Sequence, residues 1–338
     1  MSINDRQKYI IVKGFGGLGN RLLTLLNAIA IAKKTGRTLV VDWSDDTYSN
    51  NGENTFHSLF DLKNIHNQIK EEINFSNLSV WPPIWNNKLH YSSRKLMFEC
   101  INNYNNGYEY FENSVRFEYN NKKNDCDLII ITHELNDPVI TFARKGILPW
   151  YIYLNPKNAF RKIFFKYLQV TPAIQKNVQK ILNHSNKNKV IGVHVRASDN
   201  PESSHWSIQV YFDKITKLKE KHTKIFLATD NIDVVSCFRN QYGDFLLWQD
   251  QWLPTNPGDR AHANDYCPDK LEHAICSLTD LLCLSQVDFL IANSESSFSR
   301  LALDMRKSKE TSIQIGITEW NTGRFAFLRF MMALFKID

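Results

Sequence analysis

The sequence predicts an α/β protein of two domains facing a cleft, and three observations lead there. A strand, a glycine-rich turn, a helix and a second strand follow one another within residues 8–43. A second series of strands separated by helices begins near residue 171. Strands that alternate with helices form parallel sheets, and ligands gather at the carboxyl ends of such strands. Finally, the 338 residues, 43% of them hydrophobic, suffice for two ordinary cores, and two such units bind ligands best where they meet.

"KYIIVKG" has the branched apolar pattern of a buried strand, and "NRLLTLLNAIAIAKKTG" then turns helical, closing on Lys33, Lys34 and a Gly36 suited to the residue after the helix. "RTLVVDW" is the next strand. Between residues 45 and 125, Asn-rich loops such as "NNYNNG" and "YNNKKN" alternate with aromatic segments of no clear period, and no element is assigned there. "DLIIITHEL" reads as a further strand and "NPKNAFRKIFFKYL" as a helix. "TPAIQKNVQKILNHSNKNK" opens the second domain, with Thr171 and Pro172 as the cap and first residue of a helix. "VIGVHV" and "KIFLAT" follow as parallel strands joined by the helical "IQVYFDKITKLKEKH", and "VDFLIAN" is another strand. The closing "RFAFLRFMMALFKID" is apolar around most of its circumference, so a helix there packs back on the first domain. The expected division is 1–168, 169–315 and the terminal helix 316–338.

The longest apolar stretches fall short of the roughly 20 residues of a membrane-spanning helix. The first residues lack a signal-peptide pattern, which places the chain in the cytoplasm. The net charge of +6 is spread without a long basic block. That distribution favours a small anionic ligand and leaves room for a weak peripheral contact with the inner face of an acidic membrane, with no nucleic-acid partner expected. Six cysteines without C-x-x-C spacing, three of them in apolar surroundings, read as reduced, mostly packed thiols, with neither a zinc site nor a disulfide framework.

"GFGGLG" places glycines at 14, 16 and 19 in a G-x-G-x-x-G pattern, and Asp42 lies where a dinucleotide-binding acid would meet a ribose hydroxyl. The same turn offers helix N-terminal N–H groups to any phosphate, so the pattern alone does not select NAD. "HVRASD" follows a strand directly: His194 and Arg196 share a face, Arg196 offers a planar fork to phosphate oxygens, and Asp199 orients it or binds a sugar hydroxyl. Its plainer role is a surface ion pair beside a core histidine. "FLATDN" brings Asp230 to the same strand edge, unless it only caps the next helix. In "NSESSFSRLAL", Ser294, Ser296 and Ser297 gather at a helix N-terminus suited to phosphate, and Arg300 adds charge or pairs with Asp304 one turn on.

"VIGVHVRASD", "IFLATDN" and "DLLCLSQVDFLIANSESSFSRLAL" resemble the three shared segments of the α1,2-, α1,6- and protein O-fucosyltransferase superfamily, most of all its bacterial nodulation α1,6-fucosyltransferases. "GFGGLGN" with "KTGRTLVVDW" resembles the start of the same domain, so the likeness covers roughly 10–45 and 190–305. It implies a GT-B-like fold, two Rossmann-like domains facing a central cleft, and inverting transfer of fucose from GDP-fucose to a glycan or lipid-linked saccharide, with no metal or other cofactor. The first domain, 1–168, would then be the acceptor side, with its Asn-rich loops between 45 and 125 helping to choose the acceptor, and the second, 169–315, would bind the nucleotide sugar. By motif position, Arg196 would hold the β-phosphate and stabilise the leaving group. His194 would lie near guanine or ribose, Asp280 would accept from the guanine N–H edge, and Asp230 would order the site. Ser296 and Ser297 would contact phosphates, while Gly17, Gly19 and Asn20 would face the diphosphate sugar. Glu202, with Asp199 as substitute, would be the base on the acceptor hydroxyl. Ala197 departs from the pattern, because close relatives often carry a second Arg or His there; the departure loses a contact to phosphate or acceptor and weighs against an α1,6 linkage. Competing readings are a GT-B enzyme with another nucleotide sugar, a non-catalytic glycan- or nucleotide-binding relative, and a dinucleotide oxidoreductase.

Overall fold

The structure, a computed structural model, describes residues 7–116, 125–134, 136–148, 159–183, 185, 188–197, 207–256, 259–307 and 311–315. The chain divides into two compact units, Met1–Asn155 with Ile163–Gln169, and Pro156–Lys162 with Val170–Asp338.

In the first unit β1 (Tyr9–Lys13), α1 (Leu18–Thr35) and β2 (Thr38–Asp42) form the expected β-α-β start. Gly36 ends α1 with φ of 67° and donates its N–H to the Ala32 carbonyl, a left-handed cap that a side chain would strain. The chain continues through α2 (Phe56–Leu59), β3 (Phe60–Leu62), β4 (Val80–Trp81), α3 (Ser93–Asn103), α4 (Gly107–Val115), β5 (Leu128–Ile131) and α5 (Pro138–Arg144). The main sheet has the order β2-β1-β5-β4, every pair parallel. α3 and α4 thus occupy the stretch in which the sequence suggested no element. Leu96 and Cys100 of α3, and Phe111 and Val115 of α4, pack with Ile11, Val40, Leu128 and Ile130 of the sheet. Each helix contributes only one fully buried row, spaced four residues apart among polar neighbours, so its periodicity is faint in the sequence.

α6 (Ala159–Tyr167) and β6 (Leu168–Val170) lead into the second unit, and β6 pairs with β3 in a two-stranded sheet. The second unit then runs α7 (Pro172–Asn183), β7 (Val190–Val195), α8 (Ile208–Leu218), β8 (Lys224–Thr229), α9 (Ile232–Tyr242), β9 (Leu246–Trp248), α10 (Lys270–Gln286), β10 (Phe289–Asn293), α11 (Ser297–Met305) and β11 (Ser312–Ile315). α8 stops at Leu218, short of the predicted helix end. Beyond it, Glu220 N–H donates to the Thr223 hydroxyl and Thr223 N–H returns to the Glu220 carbonyl, which bends the chain out of the helix. The five strands pair in parallel in the order β11-β10-β7-β8-β9. Chain progression reverses between β7 and β10, the point at which doubly wound sheets take ligands. The short edge strands β9 and β11 escape the sequence reading. Among the described residues no helix is long and apolar enough to cross a membrane. All six cysteines are free thiols, four of them buried. The terminal helix expected over 316–338 lies outside the described residues.

Candidate active site

Because every strand of the second sheet runs the same way, its carboxyl ends share one edge, and the separate sequence motifs meet there. Arg196 follows β7 and Asp230 follows β8. Arg196 Nε stands 3.1 Å from Asp230 Oδ2, and the Ala197 N–H donates to Asp230 Oδ1 at 2.9 Å. One carboxylate therefore holds both the guanidinium and the backbone that carries it. Capping α9 falls instead to Asn231, whose side chain accepts from Asp233 and Val234 N–H, so Asp230 is not the helix cap.

His194 lies inside β7, and its Nδ1 is 2.6 Å from Ser299 Oγ, which also accepts the Asn293 N–H. Burial pushes its pKa down to about 4, against the pull of Asp230 and with Arg196 adding to the shift, so the ring is neutral at neutral pH. It thus ties β7 to the start of α11, with Phe298 tilted against it at 5.0 Å. Ser299, two positions past the last serine singled out, is the serine that does this, and only the repeat of "SSFS" hints at it.

Ser296 occupies the cap position of α11, yet its side chain makes no capping hydrogen bond. The Ser294 hydroxyl is buried without a hydrogen-bond partner among the described residues. An uncapped helix start beside an unused hydroxyl and a cation has the chemistry of an anion site. Arg300 stands 3.8 Å from Asp304, as the i,i+4 spacing allows.

Asp280 and His273 lie two turns apart on α10. Asp280 receives Gln249 Nε2 at 3.3 Å and Gln251 Nε2 at 3.1 Å, both from the segment after β9. Burial raises its pKa to about 8, with the Gln251 bond pulling the other way. His273 is also buried, its Nδ1 unpartnered among the described residues, and burial pushes it down to about 4. Nothing in the sequence marks the two glutamines or His273. Since Asp280 keeps in the native state a proton that the unfolded chain releases near 3.8, its contribution to stability is full in acid and is lost as pH rises toward about 8. Asp280→Asn is expected to flatten the fall in melting temperature between pH 5 and pH 8 relative to wild type. Parallel curves for the two proteins would refute that.

In the first unit the glycine-rich turn links β1 to α1, with Gly16 at φ of 69° and Gly17 as an N-cap without a side-chain bond. Gly19 and Asn20 lie in the first turn of α1. The turn is held from below by Arg21, whose Nε donates to the Gly16 carbonyl at 2.7 Å and whose two Nη atoms meet Asp45 at 2.8 and 2.5 Å. Arg21 is buried, with its guanidinium over Tyr48 at 4.8 Å. A Cβ on Gly14 would lie 2.0 Å from Arg21 Nη1, so the first glycine of the pattern makes room for this pair. Asp42, the acid a dinucleotide would need, accepts from Lys13 at 2.7 Å, Lys70 at 2.6 Å and the Ser44 hydroxyl at 2.5 Å. Burial opposes its ionisation, but the two lysines outweigh that and hold its pKa far below the usual carboxylate range. The ribose contact of the dinucleotide reading is therefore already taken. Glu202 and Asp199 lie outside the described residues.

Two α/β units, one with a doubly wound sheet whose reversal point carries a cation and an uncapped helix start, have the architecture that the glycosyltransferases of the GT-B class share with other nucleotide-binding proteins. The chain belongs to the GDP-fucose protein O-fucosyltransferase family, whose model matches residues 9–309. It is 24% identical over 323 residues to nodulation protein Z of Bradyrhizobium diazoefficiens, covering 89% of this chain and 79% of that protein. Its fold is similar to the crystal structure of NodZ α1,6-fucosyltransferase soaked with GDP-fucose, at a TM-score of 0.59 and 19% identity over 89% of this chain and 93% of that one. The same enzyme co-crystallised with GDP matches at 0.58 and 18%, over 88% and 92% of the two chains.

Proposed function

We propose that this chain transfers fucose from GDP-fucose, with inversion and without a metal ion, to a hydroxyl of a glycan or lipid-linked saccharide. The observation that supports it most is the Arg196–Asp230 pair at the end of β7, the strand next to β10, which leads into the uncapped start of α11. Arg196 takes the β-phosphate, and Ser296 and Ser297 with their N–H groups hold the phosphate oxygens. Asp280 accepts from the guanine N–H edge, whose donors replace the glutamines and favour the ionised carboxylate over the protonated form of the empty site, while His194 keeps β7 and α11 in register beside the nucleotide. Gly17, Gly19 and Asn20 face the diphosphate sugar. Glu202, or Asp199 in its place, removes the acceptor proton. The acceptor oxygen then bonds to C1 from the face opposite the phosphate, the C1–O bond breaks with its electron pair going to the β-phosphate oxygen, and Arg196 stabilises that charge as GDP leaves.

Calorimetric titration with GDP, GDP-fucose, UDP and NAD in the presence of a chelator tests this. Binding of the first two alone is expected, and Glu202→Gln should bind GDP as wild type does while turning over more slowly. Preference for UDP would move the donor assignment, and binding of NAD would restore the dinucleotide reading.

A further inference from the structure

The first sheet carries a polar cluster at its own carboxyl edge that none of the donor roles uses. β5 lies beside β1, and Thr132, His133 and Glu134 follow it next to the glycine-rich turn. The Phe15 ring of that turn meets His133 edge-on at 5.5 Å and Phe111 of α4 at 5.4 Å. His133 Nδ1 lies 3.9 Å from Glu112 Oε1, one residue along α4. One turn before Glu112, Tyr108 is 48% exposed. The Thr132 hydroxyl is buried and has no hydrogen-bond partner among the described residues. A strip of imidazole, carboxylate and phenol thus runs from the glycine-rich turn along α4.

We infer that Tyr108, Glu112 and His133 form the subsite for the saccharide acceptor. A sugar presents hydroxyls that both donate and accept, together with apolar C–H faces. The Glu112 carboxylate accepts from such hydroxyls, and the Tyr108 ring offers an aromatic surface to the C–H face. Burial lowers the His133 pKa, against the pull of Glu112, so at neutral pH the ring keeps one donor and one acceptor, which suits a hydroxyl. The Glu112 charge also disfavours an anionic ligand here, which separates this strip from the cationic donor edge of the other sheet. The inference rests on the fucosyl-transfer reading and adds to it which side chains hold the acceptor.

The test uses the full chain and the variants Tyr108→Ala, Glu112→Gln and His133→Asn. Each is titrated first with GDP and then, saturated with GDP, with neutral tetrasaccharides of glucose and of N-acetylglucosamine. Wild type should bind at least one saccharide, and each variant should bind it about tenfold more weakly, as expected for losing one charge-assisted hydrogen bond or one stacking face, with GDP affinity unchanged. If the variants hold the saccharide as tightly as wild type, or if wild type takes GDP and none of the saccharides, the subsite assignment falls by itself. A wild-type chain that binds no GDP overturns the transferase reading and the subsite with it. Tyr108 is exposed, so its alanine variant keeps the fold and keeps the test decisive if His133→Asn is unstable.

Discussion

Arg196→Ala is expected to reduce fucosyl transfer by about 10²–10³-fold or more while leaving the melting temperature within a few degrees of wild type, because a lost transition-state donor of this kind costs that much rate. The guanidinium follows β7 and its side chain is 23% exposed, so removing it opens no core cavity. Asp230 keeps its hydrogen bond from the Ala197 N–H, so the local backbone remains held. What disappears is the cation that takes the charge developing on the departing phosphate. Arg196→Lys should recover only part of the rate, since a lysine restores charge without the planar fork that Asp230 orients. Rates with GDP-fucose, read beside a thermal melt, decide the matter. A folded, fully active alanine variant would falsify the phosphate role.

The second large effect is structural and falls on the other unit. Asp45→Ala leaves the Arg21 guanidinium, fully buried, without its carboxylate. Breaking one partner of such a pair costs about 3–5 kcal/mol, because an uncompensated charge stays in the interior. Gly14→Ala attacks the same pair from the turn, since its Cβ would fall 2.0 Å from Arg21 Nη1. Both variants should melt well below wild type. Asp45→Asn, which keeps a hydrogen-bond acceptor, should lose less. As Arg21 also holds the Gly16 carbonyl, the folded fraction of Asp45→Ala should show a raised KM for GDP-fucose. An Asp45→Ala protein with wild-type melting behaviour would show that the pair contributes little.

The legible part of the fold was the part written in local pattern. β1, α1, β2, β7, β8 and β10 are short branched runs or long apolar repeats, and each is buried on both faces or on a broad one, so every neighbour in the sequence reports the same environment. α3 and α4 were not legible, because each buries a single row and the asparagines around it carry no period. Of the candidate site, Arg196, Asp230 and the serines were readable because they stand directly after strands. His133 and Glu112 were not, since they meet only when β5 and α4 are placed together.

By itself, then, the sequence determined the alternation of strands and helices, their parallel packing, and the strand ends at which charged and hydroxyl groups would collect. The tertiary structure alone decided what those groups touch. It paired Arg21 with Asp45 across 24 residues and His194 with Ser299 across 105, gave Asp42 to two lysines, and gave Asp280 to two glutamines. Periodicity records whether a residue faces core or solvent, which its neighbours share. The identity of a polar partner depends on which distant segment the sheet order brings alongside, and no local repeat carries that information.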